Sequence, residues 1–340
     1  VHLTVMVHLP KTRDLARCPA GHQVRDGLDT SLRSTISSHQ ESGPDGPRRI
    51  QAFESLPSQD RTRPFVTLRL TTEAGSTRKD FFAMLDRVHI ARNWLPRYTG
   101  MPLDEFGDYV LLTNFRYYVT RFAEQFGCNL RGEDRPMQAA TNSDGLTMIN
   151  FGMGSANAAT IMDLLSARSP RAVLFLGKCG GLKHSTEIGH FILPIAAIRG
   201  EGTSNDYFPP EVPSLPSFKL HKFVSQMVLE HGHEYRTGVV YTTNRRVWEH
   251  DEPFLDRLRS MTCIAIDMET ATLFIVGHHN RITRGALLLV SDVPLAAEGV
   301  KTQESDQRVT EEWSDIHLQL GIEAMTEIGD KGEPIRHFTY

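Results

Sequence analysis

Five short stretches of this chain carry almost no polar side chain until their last residue or two, and helical patterns lie between most of them. They read "LTMINF" at 146–151, "RAVLFLG" at 171–177, "GHFILPIAAIR" at 189–199, "TCIAID" at 262–267 and "ALLLVS" at 286–291. A strand with one wet face alternates apolar and polar residues, whereas a uniformly apolar strand needs cover on both sides. Helices are predicted over 114–126, 156–168, 217–230, 268–276 and 306–328, with a further strand at 237–243. Helices alternating with such strands predict an α/β fold: a three-layer sandwich around a central, mostly parallel or mixed sheet. In sheets of that kind ligands collect just beyond the carboxyl ends of the strands, so the residues that follow each strand are where chemistry is sought.

The first 80 residues read differently. Residues 37–62 are polar and rich in Pro, Ser and charge, without periodicity, and bury too little apolar surface to offset the entropy of ordering. "PFVTLRLTT" at 64–72 predicts a short strand. Residues 79–97 predict an amphipathic helix with Phe82, Leu85, Val88, Ile90 and Trp94 turned inward, ended by Pro96. The expected organisation is a partly disordered extension over 1–80 and a catalytic domain over 81–340.

Composition narrows the function. The net charge of -4, with bases and acids interspersed, does not suit a nucleic-acid binder, so any anion site must be local. Cys18, Cys128, Cys179 and Cys263 are too scattered for a disulfide framework or a structural zinc site. No apolar run is long enough to span a bilayer, and residues 1–10 do not make a secretory signal, so a soluble, cytoplasmic protein is expected.

The strand ends are rich in functional residue types: Gly152-Met153-Gly154-Ser155, Gly177-Lys178-Cys179-Gly180-Gly181, Asp267-Met268-Glu269-Thr270 and Ser291-Asp292-Val293-Pro294. Glycines after a strand let backbone N–H groups approach an anion closely, although either pair would also serve as a tight turn. A dinucleotide fingerprint fails, because the third glycine would have to stand at Asn157. Glu269 and Asp292 sit at the mouths of apolar strands, where a helix-start charge and a turn acid are the plainer readings. His231, His233, Glu234, His278 and His279 lack a further ligand at useful spacing, so no metal is expected. Cys179 lies beside a lysine but has no partner pattern for nucleophilic catalysis.

Taken together, "NFGMGSANAATIMDLLSA", "FLGKCGG", "IRGEGTSNDYFPPEVPSLP", "VYTTNRRVWEHDE", "AIDMETATLF" and "LLLVSDVPLAAEGVKT" resemble the AMP nucleosidases of the nucleoside phosphorylase superfamily, in particular their short form. The resemblance runs from about Trp94 to Tyr340. Residues 1 to about 80 have no counterpart, and they do not resemble the larger N-terminal regulatory domain of the full-length enzymes, so the resemblance implies no allosteric control by nucleotide.

The resemblance implies a nucleoside phosphorylase-like fold and roles for individual residues. Asp292 delivers a proton to N7 of the purine as the bond to ribose breaks, and Met268 and Glu269 hold the ribose. Trp248 stacks on the base, and Gly152, Gly154, Lys178, Gly180 and Ser291 line the loops around the sugar. The 5′-phosphate falls to Arg199, Arg245 and Arg246, with Thr203 and Ser204 as hydroxyl donors. Phe175 stands where phosphorylases of the superfamily carry a phosphate-holding arginine, which favours water as nucleophile, while Lys178 could still bind an anion. The expected reaction is hydrolysis of AMP to adenine and ribose 5-phosphate without metal or organic cofactor. A homo-oligomer is expected, a hexamer by family analogy, with Arg116 or Arg121 reaching a neighbouring subunit. A phosphate-dependent purine nucleoside phosphorylase and a non-catalytic nucleotide-binding protein are the alternatives.

Overall fold

The computed structural model describes residues 4–7, 66–69, 87–296, 299 and 301–331. The chain divides into two units, residues 1–85 and 86–340. In the first, β1 (Thr4–Val7) pairs antiparallel with β2 (Val66–Arg69), within the strand expected at 64–72. The predicted disorder over 37–62 and the helix start at 79–86 lie outside the described residues.

The second unit opens with α1 (Arg87–Thr99), which differs from expectation in two ways. The helix continues through Pro96 to Thr99, because proline costs one backbone hydrogen bond without preventing the next turn. Its inward face is Ala91, Leu95 and Thr99, while Ile90 and Trp94 are exposed.

The sheet follows: β3 (Tyr109–Thr113), α2 (Arg116–Phe126), β4 (Gln138–Thr141), β5 (Leu146–Asn150), α3 (Ser155–Leu164), β6 (Ala172–Gly181), β7 (Phe191–Gly200), α4 (Phe218–Glu230), β8 (Tyr235–Thr243), α5 (Glu252–Ser260), β9 (Ala265–Asp267), α6 (Thr270–His279), β10 (Arg284–Asp292) and α7 (Gln303–Lys331). Of these, β3, β4 and α5 were not anticipated from the pattern.

Each apolar strand feeds two cores. Val110, Leu112, Val173, Phe175, Leu288 and Val290 face one core, with Leu95 of α1, Ile161 and Met162 of α3 and Phe274 of α6. Their neighbours Leu111, Leu174, Leu176, Leu287 and Leu289 face the other, with Phe122 of α2, Val224 of α4 and Met325 of α7. Burying one such side chain contributes roughly 1.5–3 kcal/mol, so a helix layer on each side accounts for strands with no polar face.

The strand order is β10-β7-β8-β9-β6-β3-β5-β4, with β10 also paired to β6. The ring β6–β10–β7–β8–β9 is thereby closed, and β3, β5 and β4 extend from it. Strand β6 makes this possible: one edge pairs with β10, and the other pairs with β3 along Ala172–Leu176 and with β9 at Gly180 and Gly181. Strands β3, β5, β6 and β10 run parallel, so their carboxyl ends gather on one side.

Candidate active site

Where those strand ends converge, a cavity of about 280 Å³ opens. Of the residues expected at a site, it is lined by Lys178, Gly180, Arg246, Trp248, Met268, Glu269, Ser291 and Asp292. It is lined as well by Asn114, Thr243, Glu249, Asp267, Lys301 and Asp306, to which the sequence reading gave no role. Asn114 follows β3 directly, so recognising that strand would have pointed to it. Lys301 comes from the segment between β10 and α7, and Asp306 from the first turn of α7.

Asp267 and Glu269 are both buried, yet their surroundings differ. Asp267 Oδ1 accepts from Thr242 Oγ1 (2.6 Å), and Oδ2 accepts from Thr270 N (2.7 Å), Thr270 Oγ1 (2.5 Å) and Glu269 N (3.2 Å). These bonds satisfy the carboxylate and tie down the start of α6. Burial raises its pKa and the four donors oppose the rise. The Glu269 carboxyl accepts from Gly154 N at 2.8 Å, and the Asn114 side chain and the Met268 backbone also hydrogen-bond to it. Burial, and then the charge of Asp267, push its carboxyl up to about 8.

The glycine loop after β5 is built around that bond. Gly152 and Gly154 have φ of 82° and 94°, a region that side chains avoid. Gly154 precedes α3 and turns its N–H to Glu269, while Ser155 Oγ donates to Met268 O at 2.6 Å. Neither Gly152 nor Gly154 itself lines the cavity; the loop acts by holding Glu269 and Met268 in place.

At the end of β10 the register with β6 shifts between Val290 and Asp292, a bulge that re-aims the strand's last residues. Ser291 Oγ donates to Asp292 Oδ1 at 2.7 Å, and Lys301 Nζ lies 3.9 Å from the same oxygen. Burial raises the Asp292 pKa, and Lys301 and Ser291 partly oppose it. Lys178, whose side chain is only 5% exposed, donates to Thr310 Oγ1 (2.8 Å) and Asp306 Oδ1 (3.2 Å) and sits 4.9 Å above the Phe115 ring. Burial lowers its pKa. Trp248 lines the cavity with one side and packs on Phe254 with another, ring centroids 5.5 Å apart.

The expected phosphate ligands separate. Arg246 lines the cavity and is largely exposed, 3.6 Å from Glu249 Oε1. Arg245 does not line it; its guanidinium donates to Asp251 Oδ2 at 2.6 Å and lies over Phe254. Arg199, Thr203 and Ser204 are not among the residues lining the cavity. Arg199 donates to Ser204 Oγ, Asn205 Oδ1 and the carbonyls of Phe208, Pro209 and Val212, which uses its whole guanidinium to hold the 204–212 loop. Thr203 starts a single 3-10 turn, and Ser204 N donates to Glu201 Oε1. Arg116 pairs with Glu133, and Arg121 with Glu124 and Asp315, at the surface.

Of the other features singled out, Cys179 lines the cavity, whereas the histidines and Phe175 do not. His231 pairs with Glu323, His233 packs edge-on against Phe191, and His278 and His279 pack against Phe208. Cys179 is buried and its thiol is pushed well above the ordinary range by that burial, the opposite of a reactive thiolate. Phe175 lies in the first core, 5.8 Å from the Phe151 ring, and does not face the cavity. Among the described residues no helix is long and apolar enough to cross a membrane.

Chemically, the cavity combines a half-buried acid, a buried carboxyl that can exchange hydrogen bonds with hydroxyls, an aromatic wall and local cations. Residues 100–326 match the family model described as the phosphorylase superfamily. The chain is 31% identical over 295 residues to AMP nucleosidase of Escherichia coli (strain K12), a match covering 73% of this chain and 60% of that protein, so it spans less than two thirds of that relative. It is 27% identical over 183 residues to guanosine phosphorylase of Halorubrum lacusprofundi, covering 54% of this chain and 75% of that one. Among solved structures, AMP nucleosidase from Bacteroides thetaiotaomicron aligns with a TM-score of 0.64 and 53% identity, over 73% of this chain and 100% of that chain. Uridine phosphorylase from Vibrio fischeri, at 21% identity and a TM-score of 0.59, covers 66% of this chain and 93% of its own, and shows the shared fold.

Proposed function

The chain belongs to the phosphorylase superfamily, and on that premise we propose that it hydrolyses the N-glycosidic bond of AMP, releasing adenine and ribose 5-phosphate. The reading assigns catalysis to residues 81–340 and treats 1–80 as an extension. The observation that carries hydrolysis over phosphorolysis is Phe175, which is buried in the core at the position where the sequence resemblance leads one to expect a phosphate-holding arginine. AMP as substrate rests on the similarity to two AMP nucleosidases.

Asp292, its pKa raised by burial, brings a proton to N7 of the purine. As the C1′–N9 bond breaks, its electron pair leaves with the base, and that proton neutralises the charge; such acid help is worth roughly 10²–10⁴-fold. Glu269 exchanges hydrogen bonds with the ribose hydroxyls. The negative charge held by the Asp267 and Glu269 carboxyls favours the sugar as it turns cationic, so the pair stabilises the transition state more than the ground state with no proton moved. Met268 packs on the sugar and Trp248 on the base. Arg246, the exposed cation at the rim, meets the 5′-phosphate. The proposal includes a cytoplasmic homo-oligomer, a hexamer by family analogy, which light scattering on the eluting protein would measure.

The test is chromatographic release of adenine from AMP and from adenosine, each with and without phosphate. Adenine and ribose 5-phosphate from AMP without phosphate is the expected result. Release only from adenosine and only with phosphate would make the protein a phosphorylase, and AMP binding without turnover would make it a nucleotide-binding protein.

A further inference from the structure

Hydrolysis needs a group that takes a proton from the attacking water, and most carboxylates in the cavity are already committed. Both oxygens of Asp267 are held by four donors. Glu269 is held by Gly154 N and serves the ribose hydroxyls, and Asp292 serves the leaving group. Glu249 accepts from Trp248 N at 2.9 Å and lies beside Arg246 at the rim. Asp306 is left. It lines the same cavity, and both of its ammonium partners approach one oxygen: Lys178 Nζ at 3.2 Å and Lys301 Nζ at 3.0 Å on Oδ1. Its Oδ2 has no hydrogen-bond partner among the described residues and is open to accept one.

We propose that Asp306 is the catalytic base for the water, a role that rests on the hydrolytic reading above. The geometry around it is otherwise hard to account for. Lys178 is a nearly buried cation whose anionic partner is Asp306, with Thr310 Oγ1 and the Phe115 ring on its other sides. Burial alone would raise the Asp306 pKa, but Lys301 and Lys178 outweigh it and keep the carboxylate ionised. Lys301 touches Asp292 as well as Asp306, so one ammonium links the group serving the base to the group serving the water. Paired carboxyls, one for the leaving group and one for the water, are the arrangement by which inverting glycosidases cleave a related bond.

The step balances. The water oxygen bonds to C1′ as the C1′–N9 pair departs with the purine, whose N7 takes the Asp292 proton. One water proton passes to Asp306 Oδ2, and the other stays on the new anomeric hydroxyl. Asp292 is then ionised and Asp306 protonated; Lys301 restores both by giving a proton to the first and taking one from the second.

The experiment compares the full-length protein with Asp306→Asn, each with AMP, with and without sodium azide. The variant is expected to lose roughly 10²–10⁴-fold in kcat, with KM for AMP within about threefold. Azide, an anionic nucleophile that needs no base, is expected to restore adenine release and to yield ribosyl azide 5-phosphate, seen by mass spectrometry. Turnover near that of the wild type, or a loss that azide leaves unchanged, overturns the assignment. If Asp306→Asn does not fold, Asp306→Glu replaces it. Its carboxylate is displaced by about one methylene, a misplacement that can cost on the order of 10²-fold, so an unchanged rate in that variant overturns the proposal too. A wild-type protein that releases no adenine from AMP removes the hydrolytic reading and this one together, whereas an active wild type with an equally active variant removes only the role of Asp306.

Discussion

Carboxyl groups that share one cavity are given different tasks by their immediate partners. Asp267 is saturated by donors and positions α6; Glu269 is buried beside the Asp267 charge, which raises its pKa; Asp292 is half-buried beside a lysine. Two predictions belong here. Asp292→Asn, which keeps shape but cannot deliver a proton, is expected to lower AMP turnover roughly 10²–10⁴-fold in steady-state assays. For Glu269, a carboxyl whose pKa is raised on folding binds its proton more tightly in the folded state. Its contribution is therefore intact below the ordinary glutamate range and is lost as pH rises through that range towards about 8. Glu269→Gln removes that loss. Its stability relative to wild type, from denaturant unfolding, should grow between about pH 5 and pH 8, by roughly 1–3 kcal/mol, while AMP turnover falls.

At the scale of elements, the site depends on loops fastened to one another. Gly154 donates to Glu269 and Ser155 to Met268, so the turn after β5 and the start of α6 form one platform. A Cβ at Gly154 would meet open space, so the effect of Gly154→Ala is conformational and comes from its φ of 94°. The expected cost is about 1–3 kcal/mol, read as a lower melting temperature. It should be accompanied by weaker AMP turnover as Glu269 loses its backbone donor. Unchanged kinetics in a destabilised variant would show that the loop does not hold the carboxyl. Strand β6 contributes differently at its two ends: Phe175 packs into the helix layer, and Lys178, three residues on, enters the cavity.

For the whole molecule, the closed ring of β6, β10, β7, β8 and β9 brings residues of β6, β8, β9 and β10 to one cavity, and the core clusters of the described residues lie within residues 86–340. A chain beginning at residue 86 is therefore expected to fold cooperatively and to keep AMP turnover within about threefold of the full chain. Loss of soluble, active protein on that truncation would show that residues 1–85 are needed for the catalytic unit.

The order of apolar strands and helices, and the glycines and acids that follow the strands, were legible from residue types alone, because burial on both faces of a sheet leaves no position for a polar side chain. That is how Glu269, Asp292 and Lys178 could be singled out before any coordinates, whereas Met268 and Trp248 were named through the family resemblance. The ends of α1 were misplaced because one proline and a few apolar residues do not reveal which helix face meets the core. Arg199 looked like an anion ligand, since residue type and neighbourhood do not show that five acceptors from its own loop surround the guanidinium. Asp306 was out of reach for a related reason. Its place beside Lys178 is created only when α7 packs across the sheet, and contacts between residues separated by 128 positions leave no local pattern in the chain.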